Sequence, residues 1–276
     1  MNSFIFPLEL NVWRETRDTL QKYCRLVGAI RETLSRPKPH SLHTSLLICK
    51  NGFTTSSLPK NPSSQDQSFE VIIDLVLKKL RIESNYREPL YVALTGQSLN
   101  ALCDETCSLL NDIGVQTTLD RPSFIDGVRG RFETKSIEDY WELTTNVSNI
   151  FKVIKNELRG KSSSVHLRPD DLSINLTWFD KETKEGKEGK DIFAEQVEFG
   201  FSTGDENIPE TYFYVCAFPD TEVLRKFYSP HTFVWSKENL MMATLPFSKI
   251  TSASSSEETI LAFFKRILPL FKNSEN

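Results

Sequence analysis

Segments that alternate apolar and polar residues come in runs along this chain, and helical segments stand between the runs rather than between single strands. Ser45 to Lys50 reads as a strand, Asn51-Gly52 as the two positive-φ residues of a type I′ turn, and Phe53 to Leu58 as the returning strand. After the polar connection "PKNPSSQDQS", the stretch "FEVIIDLVLKKLRI" puts Phe69, Val71, Ile73, Leu75 and Leu77 on one face, which predicts one long strand. "PLYVALT" predicts another. Further on, "DDLSINLTWFD" alternates through Leu172, Ile174, Leu176 and Trp178, so one face should be buried. "TYFYVCAF" is apolar on both faces, as a central strand is. Strands in such runs close by hairpins, whereas a doubly wound parallel sheet needs a helix after each strand. The expected class is α+β: an antiparallel sheet covered by three or four helices.

The helices have their own period. Trp13, Leu20, Tyr23, Val27, Ile30 and Leu34 recur at threes, fours and sevens, an amphipathic helix closed by Pro37 and Pro39. Leu99, Leu102, Cys103, Leu109, Leu110 and Ile113 mark a second, stopped by Gly114. A third runs from about Ile137 to Leu158 and ends at Arg159-Gly160. The last is opened by capping boxes, Ser254 with Glu257 and Ser255 with Glu258, and is bent or ended near Pro269. "RPSFIDGVRGRFE" reads as loop, and the charged segment 180–191 as a mobile one.

One globular domain over 1–276 is expected. Tyr23, Val27, Ile30 and Leu34 share their spacing with Val147, Phe151, Ile154 and Leu158, and in both places a link, a histidine and a strand follow. Two readings stay open: an internal pseudo-duplication of a helix-plus-hairpin unit, with halves 8–125 and 132–272, or the ordinary look of any amphipathic helix before a strand.

Composition excludes some function classes. The 33 Lys and Arg against 37 Asp and Glu give a formal charge of −4, without the basic field that phosphate-backbone binding uses, so nucleic acid is not an expected partner. No apolar run reaches the length of a membrane span, and "MNSFIFPLELNVWRETRD" lacks the basic start of a secretory signal. Cys24, Cys49, Cys103, Cys107 and Cys216 are odd in number and sit in apolar stretches, which fits buried free thiols in a reducing compartment. The expected location is cytoplasmic.

Most catalytic motifs fail on inspection. "RGKS" at 159–162 has Lys155 where a phosphate loop needs its first glycine, and it follows a helix rather than a strand. "GQSLN" at 96–100 has Asn100 in place of a nucleophile elbow's second glycine. Among the histidines, His40 and His43 are three apart in an extended segment, so they point to opposite faces and do not chelate one ion. No metal and no cofactor is expected. His231 in "SPHTF" reads as a loop residue.

Motifs spread over nearly the whole chain carry a resemblance: "WRETRDTL…VGAIR", "PH" at 39–40, "GFTTSSLP", "FEVIIDLV", "YW" at 140–141, "GKSSSVH", "GFSTG", "YFYVCAFP", "LPF" and "ILAFF". In their order and spacing the chain resembles a divergent member of a mainly bacterial family catalogued as domain of unknown function 5996. The resemblance places His40, Gly160, Lys161, His166 and Glu195, with Trp13, Thr16, Arg17 and Asp18, on polar, glycine or aromatic positions of the family pattern. It also marks departures. Ser41 and Leu42 replace tryptophans, Leu167, Arg168 and Pro169 stand where aromatics are usual, Ser202 and Thr203 interrupt a "FWPG" segment, and Ala194 replaces a histidine.

The family set implies a concave, aromatic-rich small-molecule site. In the first function class the protein is a cytosolic small-molecule binder, with enzyme activity an open question. His40 or His166 would act as acid or base and Glu195 as charge partner, Arg17 or Lys161 would hold an anionic group, and Trp178 would contact the ligand. In the competing class it is a noncatalytic protein–protein interaction module with structural histidines. The lost aromatics favour the second class and the retained polar residues the first.

Overall fold

The computed structural model describes residues 6–36, 42–61, 66–179, 184–185, 191–192, 196–218, 224, 233–237, 240–250 and 256–272. In chain order the elements are α1 (Leu10–Leu34), β1 (Leu46–Ile48), β2 (Gly52–Thr54), β3 (Leu58–Pro59), β4 (Ser68–Asp74), β5 (Lys79–Ser84), β6 (Leu90–Ala93) and α2 (Leu99–Asp112). There follow α3 (Thr134–Glu157), β7 (Lys161–Ser162), β8 (His166–Leu167), β9 (Ile174–Phe179), β10 (Lys184–Glu185), β11 (Asp191–Ile192), β12 (Gln196–Ser202), β13 (Tyr212–Phe218), β14 (Phe233–Lys237), β15 (Leu240–Pro246) and α4 (Ser256–Lys272). The fold is α+β with antiparallel strands. The chain divides into two compact units: an N-terminal one of Asn11–Trp141 with Leu167–Leu172, and a C-terminal one of Met1–Leu10, Glu142–His166 and Ser173–Asn276.

In the N-terminal unit the strand order is β1-β2-β4-β5-β6, an antiparallel meander, with β3 paired to the start of β4. Register puts Phe53, Phe69, Val71, Ile73, Leu80, Ile82 and Val92 on one face, all buried. Aromatic packing ties that face to the helices: Phe53 meets Tyr140 and Trp141 at ring-centroid distances of 6.2 and 6.0 Å, and Trp13 of α1 stacks on Tyr140 at 5.0 Å. The opposite face is polar. Thr54 donates to the Glu70 carboxylate at 2.7 Å, Arg81 pairs with Asp74 at 2.8 Å and with Glu83, and the Lys79 ammonium lies 5.2 Å over the Tyr91 ring.

The long strand expected across residues 69–82 is a hairpin. Asp74 is fully buried and its carboxylate accepts the Leu77 N–H at 2.7 Å, while Lys78 adopts φ 54°, so the chain reverses over Leu75–Lys78. Val76 and Leu77 are exposed at the tip, where the alternation rule places them in a sheet. The first hairpin pairs as expected, Ile48 with Phe53 and Leu47 with Thr54, but of the two expected positive-φ residues only Gly52 is one, at φ 157° as the first residue of β2, while Asn51 is not. Gly52 answers a different need: a Cβ there would lie 2.0 Å from the Ile73 carbonyl oxygen of β4.

In the C-terminal unit the order is β9-β12-β13-β15-β14, again antiparallel, with β7 paired to β9. β13 has a partner on each side, as its sequence suggests. Phe199, Phe201 and Phe213 share a face with Ile174, Leu176 and Val215, and Phe151 of α3 and Phe264 of α4 close over it with centroids 5.6–6.4 Å apart. All six residues of β9 are buried, so both of its faces are covered, not one. α4 continues through Pro269 to Lys272. Its expected capping serines, Ser254 and Ser255, lie outside the described residues, as does most of the charged segment 180–191. The described parts of that segment, β10 and β11, pair antiparallel. No helix among the described residues is long and apolar enough to cross a membrane.

Candidate functional site

The second half of α1 turns one stripe of its surface toward a cleft of about 510 Å³ in the N-terminal unit. Arg25, Gly28, Ala29, Glu32 and Thr33 recur at threes and fours along that stripe. Across from them lie Thr118, Leu119 and Asp120, then Ser123 and Phe124 of a short 3-10 turn, with Thr44, Pro169 and Asp170 completing the wall. Leu119, Phe124 and Pro169 are buried and give the cleft an apolar floor, while its charged side chains reach solvent.

Local bonds hold the walls. The Gln21 amide donates to the Asp170 carbonyl, and the Arg25 guanidinium sits 3.7 Å from the Asp170 carboxylate. Ser123 donates its hydroxyl to the Asp120 carboxylate at 2.6 Å and its N–H to the Asp120 carbonyl at 3.0 Å, which fixes the turn. Gly28 is where the walls come closest: a Cβ would lie 2.9 Å from Pro169 Cγ and 3.0 Å from the Thr44 carbonyl oxygen. One turn below the cleft, the Lys22 ammonium lies 2.5 Å from Asp126, whose pKa is lowered first by that hydrogen bond and then by the Val128 N–H. Glu32, Asp120 and Asp170 against Arg25 leave the lining with an excess of carboxylate.

The residues picked out from sequence fall elsewhere. Arg17 is in α1 and pairs with the adjacent Asp18 at 2.9 Å, off the cleft lining. Lys161, His166 and Trp178 all belong to the C-terminal unit. Lys161 is exposed on β7, and its neighbour Ser162 stands opposite Trp178 of β9. The Trp178 indole is buried and donates its N–H to the Arg159 carbonyl at 2.5 Å. His166 keeps 3% of its surface, and its Nδ1 lies 2.9 Å from the Ser164 carbonyl oxygen, so that nitrogen carries the proton and donates. Ser163 ties the histidine to β9: its hydroxyl oxygen is 3.5 Å from the same ring nitrogen and accepts the Thr177 N–H at 2.9 Å. His40, Glu195 and His231 lie outside the described residues. Among those described, no three His, Cys, Asp or Glu side chains gather as metal ligands would.

A second polar cluster, also absent from the sequence reading, sits on the face of the C-terminal sheet away from Phe264. The Tyr214 hydroxyl donates to the Asn175 amide oxygen at 2.6 Å and lies 3.2 Å from the Glu198 carboxylate, with the Cys216 thiol 4.0 Å from the same carboxylate. Asn175 is fully buried and is oriented by its own donation to Ser173 Oγ at 2.8 Å. Gly200 makes room for the ring, since a Cβ there would fall 1.9 Å from Tyr214 Cζ. An isolated glycine inside the strand "QVEFGFS" is the signal that could have revealed it, because such a glycine marks close approach of a neighbour. The cleft had no comparable signal, as its residues are ordinary types scattered over four segments.

The sequence model of a family described as a family of unknown function (DUF5996) matches residues 6–268, and the chain belongs to that family. No curated protein and no solved structure matches the chain.

Proposed function

We propose that this member of the family is a small-molecule-binding protein of the cytosol whose ligand occupies the cleft beside the second half of α1. The cleft itself carries the reading: about 510 Å³ with an apolar floor and a polar rim, within the roughly 300–1,000 Å³ usual for ligand sites. Its carboxylate excess and its threonine and serine hydroxyls suit a ligand rich in hydrogen-bond donors, an amine or a polyol with a small apolar body. The cytosolic part of the reading is supported by five free cysteines, of which Cys24, Cys103 and Cys216 are buried.

One test fills the cleft without touching the core. A thermal-shift screen of amino acids, polyamines and sugars against wild type and Ala29→Trp should find a class that raises the wild-type Tm and leaves the variant unmoved. A panel that shifts both proteins equally, or neither, would remove the cleft as the site.

A second reading, the noncatalytic interaction module, is favoured by the backbone-bonded, buried His166 and by a loop in which Ile125 and Val128 expose 72% and 71% of their surfaces. Under it, Ile125→Ser with Val128→Ser would abolish partner capture and leave every ligand response intact.

A further inference from the structure

Arg31 lies on the buried stripe of α1, in line with Trp13, Leu20, Cys24 and Val27, and keeps 5% of its surface. Its Nε and Nη1 are shielded from solvent without a hydrogen-bond partner among the described residues. Burial lowers its pKa. A guanidinium does not escape this by losing its proton, so an isolated one in the interior needs an anion. Half-buried arginines elsewhere are paired in that way: Arg81 holds Asp74 at 2.8 Å and also meets Glu83, and Arg17 holds Asp18 at 2.9 Å. The carbonyls of the last turn of α1 favour a cation, but the Arg31 carbonyl is already taken by the Ser35 N–H. Helical side chains lie back over the preceding turn, which here is Val27–Gly28, and Gly28 has no side chain and lines the cleft.

We propose that Arg31 is an oxyanion-binding residue, its guanidinium taking a carboxylate or phosphate group, with Nε and Nη1 lacking a partner among the described residues. Arginine is suited to this because its planar fork matches both oxyanions and stays charged. The inference stands whether or not the cleft is the ligand site, since it concerns only the charge on Arg31.

The experiment is thermal unfolding of the full chain at pH 7 in sodium phosphate, sodium acetate and sodium chloride at equal ionic strength, for wild type, Arg31→Met and Arg31→Lys. Wild type should melt several degrees higher, saturably, in phosphate or acetate than in chloride. A rise in phosphate alone assigns a phosphate group, and a rise in acetate alone a carboxylate. Arg31→Met should lose the oxyanion-specific rise and match or exceed wild type in chloride, because it removes the isolated charge. Should Arg31→Met fail to fold, Arg31→Lys keeps the charge without the fork and should need about tenfold more anion for the same rise. Equal wild-type melting in all three salts, or a rise retained in full by either variant, would overturn the proposal.

Discussion

The strands of each unit include a glycine where a Cβ would clash, Gly52 at the start of β2 and Gly200 inside β12, and the two glycines do different work. In the N-terminal sheet, Gly52 lets the backbone of β2 pass the Ile73 carbonyl, with 2.0 Å left for any Cβ. In the C-terminal sheet, Gly200 lets a side chain lie across β12, with 1.9 Å between a Cβ and the Tyr214 ring. Strand pairing depends on the first and a buried polar cluster on the second. The faces opposite the aromatic cores differ in the same sense. The N-terminal one is laced by charged pairs, Arg81 with Asp74 and Glu83, whereas the C-terminal one holds Tyr214 and Cys216 beside the Glu198 carboxylate, with Asn175 accepting from Tyr214.

That contrast predicts unequal responses to the same substitution. Gly52→Val should be the most damaging, costing more than about 3 kcal/mol, because a carbonyl in a paired strand cannot step aside without breaking the β2–β4 ladder. Urea unfolding would measure it, and a midpoint near wild type would mean that β2 does not pair through Gly52. Gly200→Val should cost less, on the order of 1–3 kcal/mol, since a ring can rotate away. The double variant Gly200→Val with Tyr214→Ala should be less destabilised than the sum of the two single changes. Strict additivity would show that the ring does not rest on Gly200.

Legibility followed the same division between backbone and side chain. Period alone located α1, α2 and α3 to within a few residues, because tertiary packing buries the stripe that Leu20, Tyr23, Val27 and Ile30 form. It failed at Leu75–Lys78, where apolar side chains occupy an exposed turn set by a buried aspartate. It also failed to show that β9 is covered on both faces, since Asn175 and Thr177 look like outward-facing residues. Arg31 was invisible for the opposite reason: a charged residue at the end of an amphipathic helix reads as solvated, and only coordinates place it on the buried side. The cleft needs four chain segments to meet, and no local pattern encodes that.

His166 tests the comparison at a single side chain. Its Nδ1–H donates to the Ser164 carbonyl, and Ser163 ties the same turn to Thr177 of β9, so it resembles the polar pins of the N-terminal hairpin more than a free acid or base. His166→Gln should cost about 1–2 kcal/mol in urea unfolding, the usual penalty when a buried donor is misplaced. A variant as stable as wild type would return His166 to the list of groups held for chemistry rather than for the fold.

The smallest expected effect separates the two units by acid titration. In the N-terminal unit Glu133 is lowered first by the Ser136 hydroxyl, but it is only half-buried, so solvent screens its charge. In the C-terminal unit burial alone would raise Asp205, yet the Tyr212 hydroxyl at 2.7 Å and the N–H groups of Asn207 and Ile208 outweigh it and hold the carboxyl below its ordinary 3.8. A folded-state value below the unfolded one means that the stabilisation is fully present above the ordinary value and is lost as pH falls through the folded one. Asp205→Asn keeps an acceptor oxygen and removes the charge, so it should cost under about 1 kcal/mol at pH 7 once screening is counted. Its urea midpoint should then converge on that of wild type as pH is lowered past 3.8 toward full protonation. Glu133→Gln should show a smaller gap at pH 7 and almost no convergence. Were the gap for Asp205→Asn to stay constant through the acid range, its bonds from Tyr212, Asn207 and Ile208 would owe nothing to the negative charge.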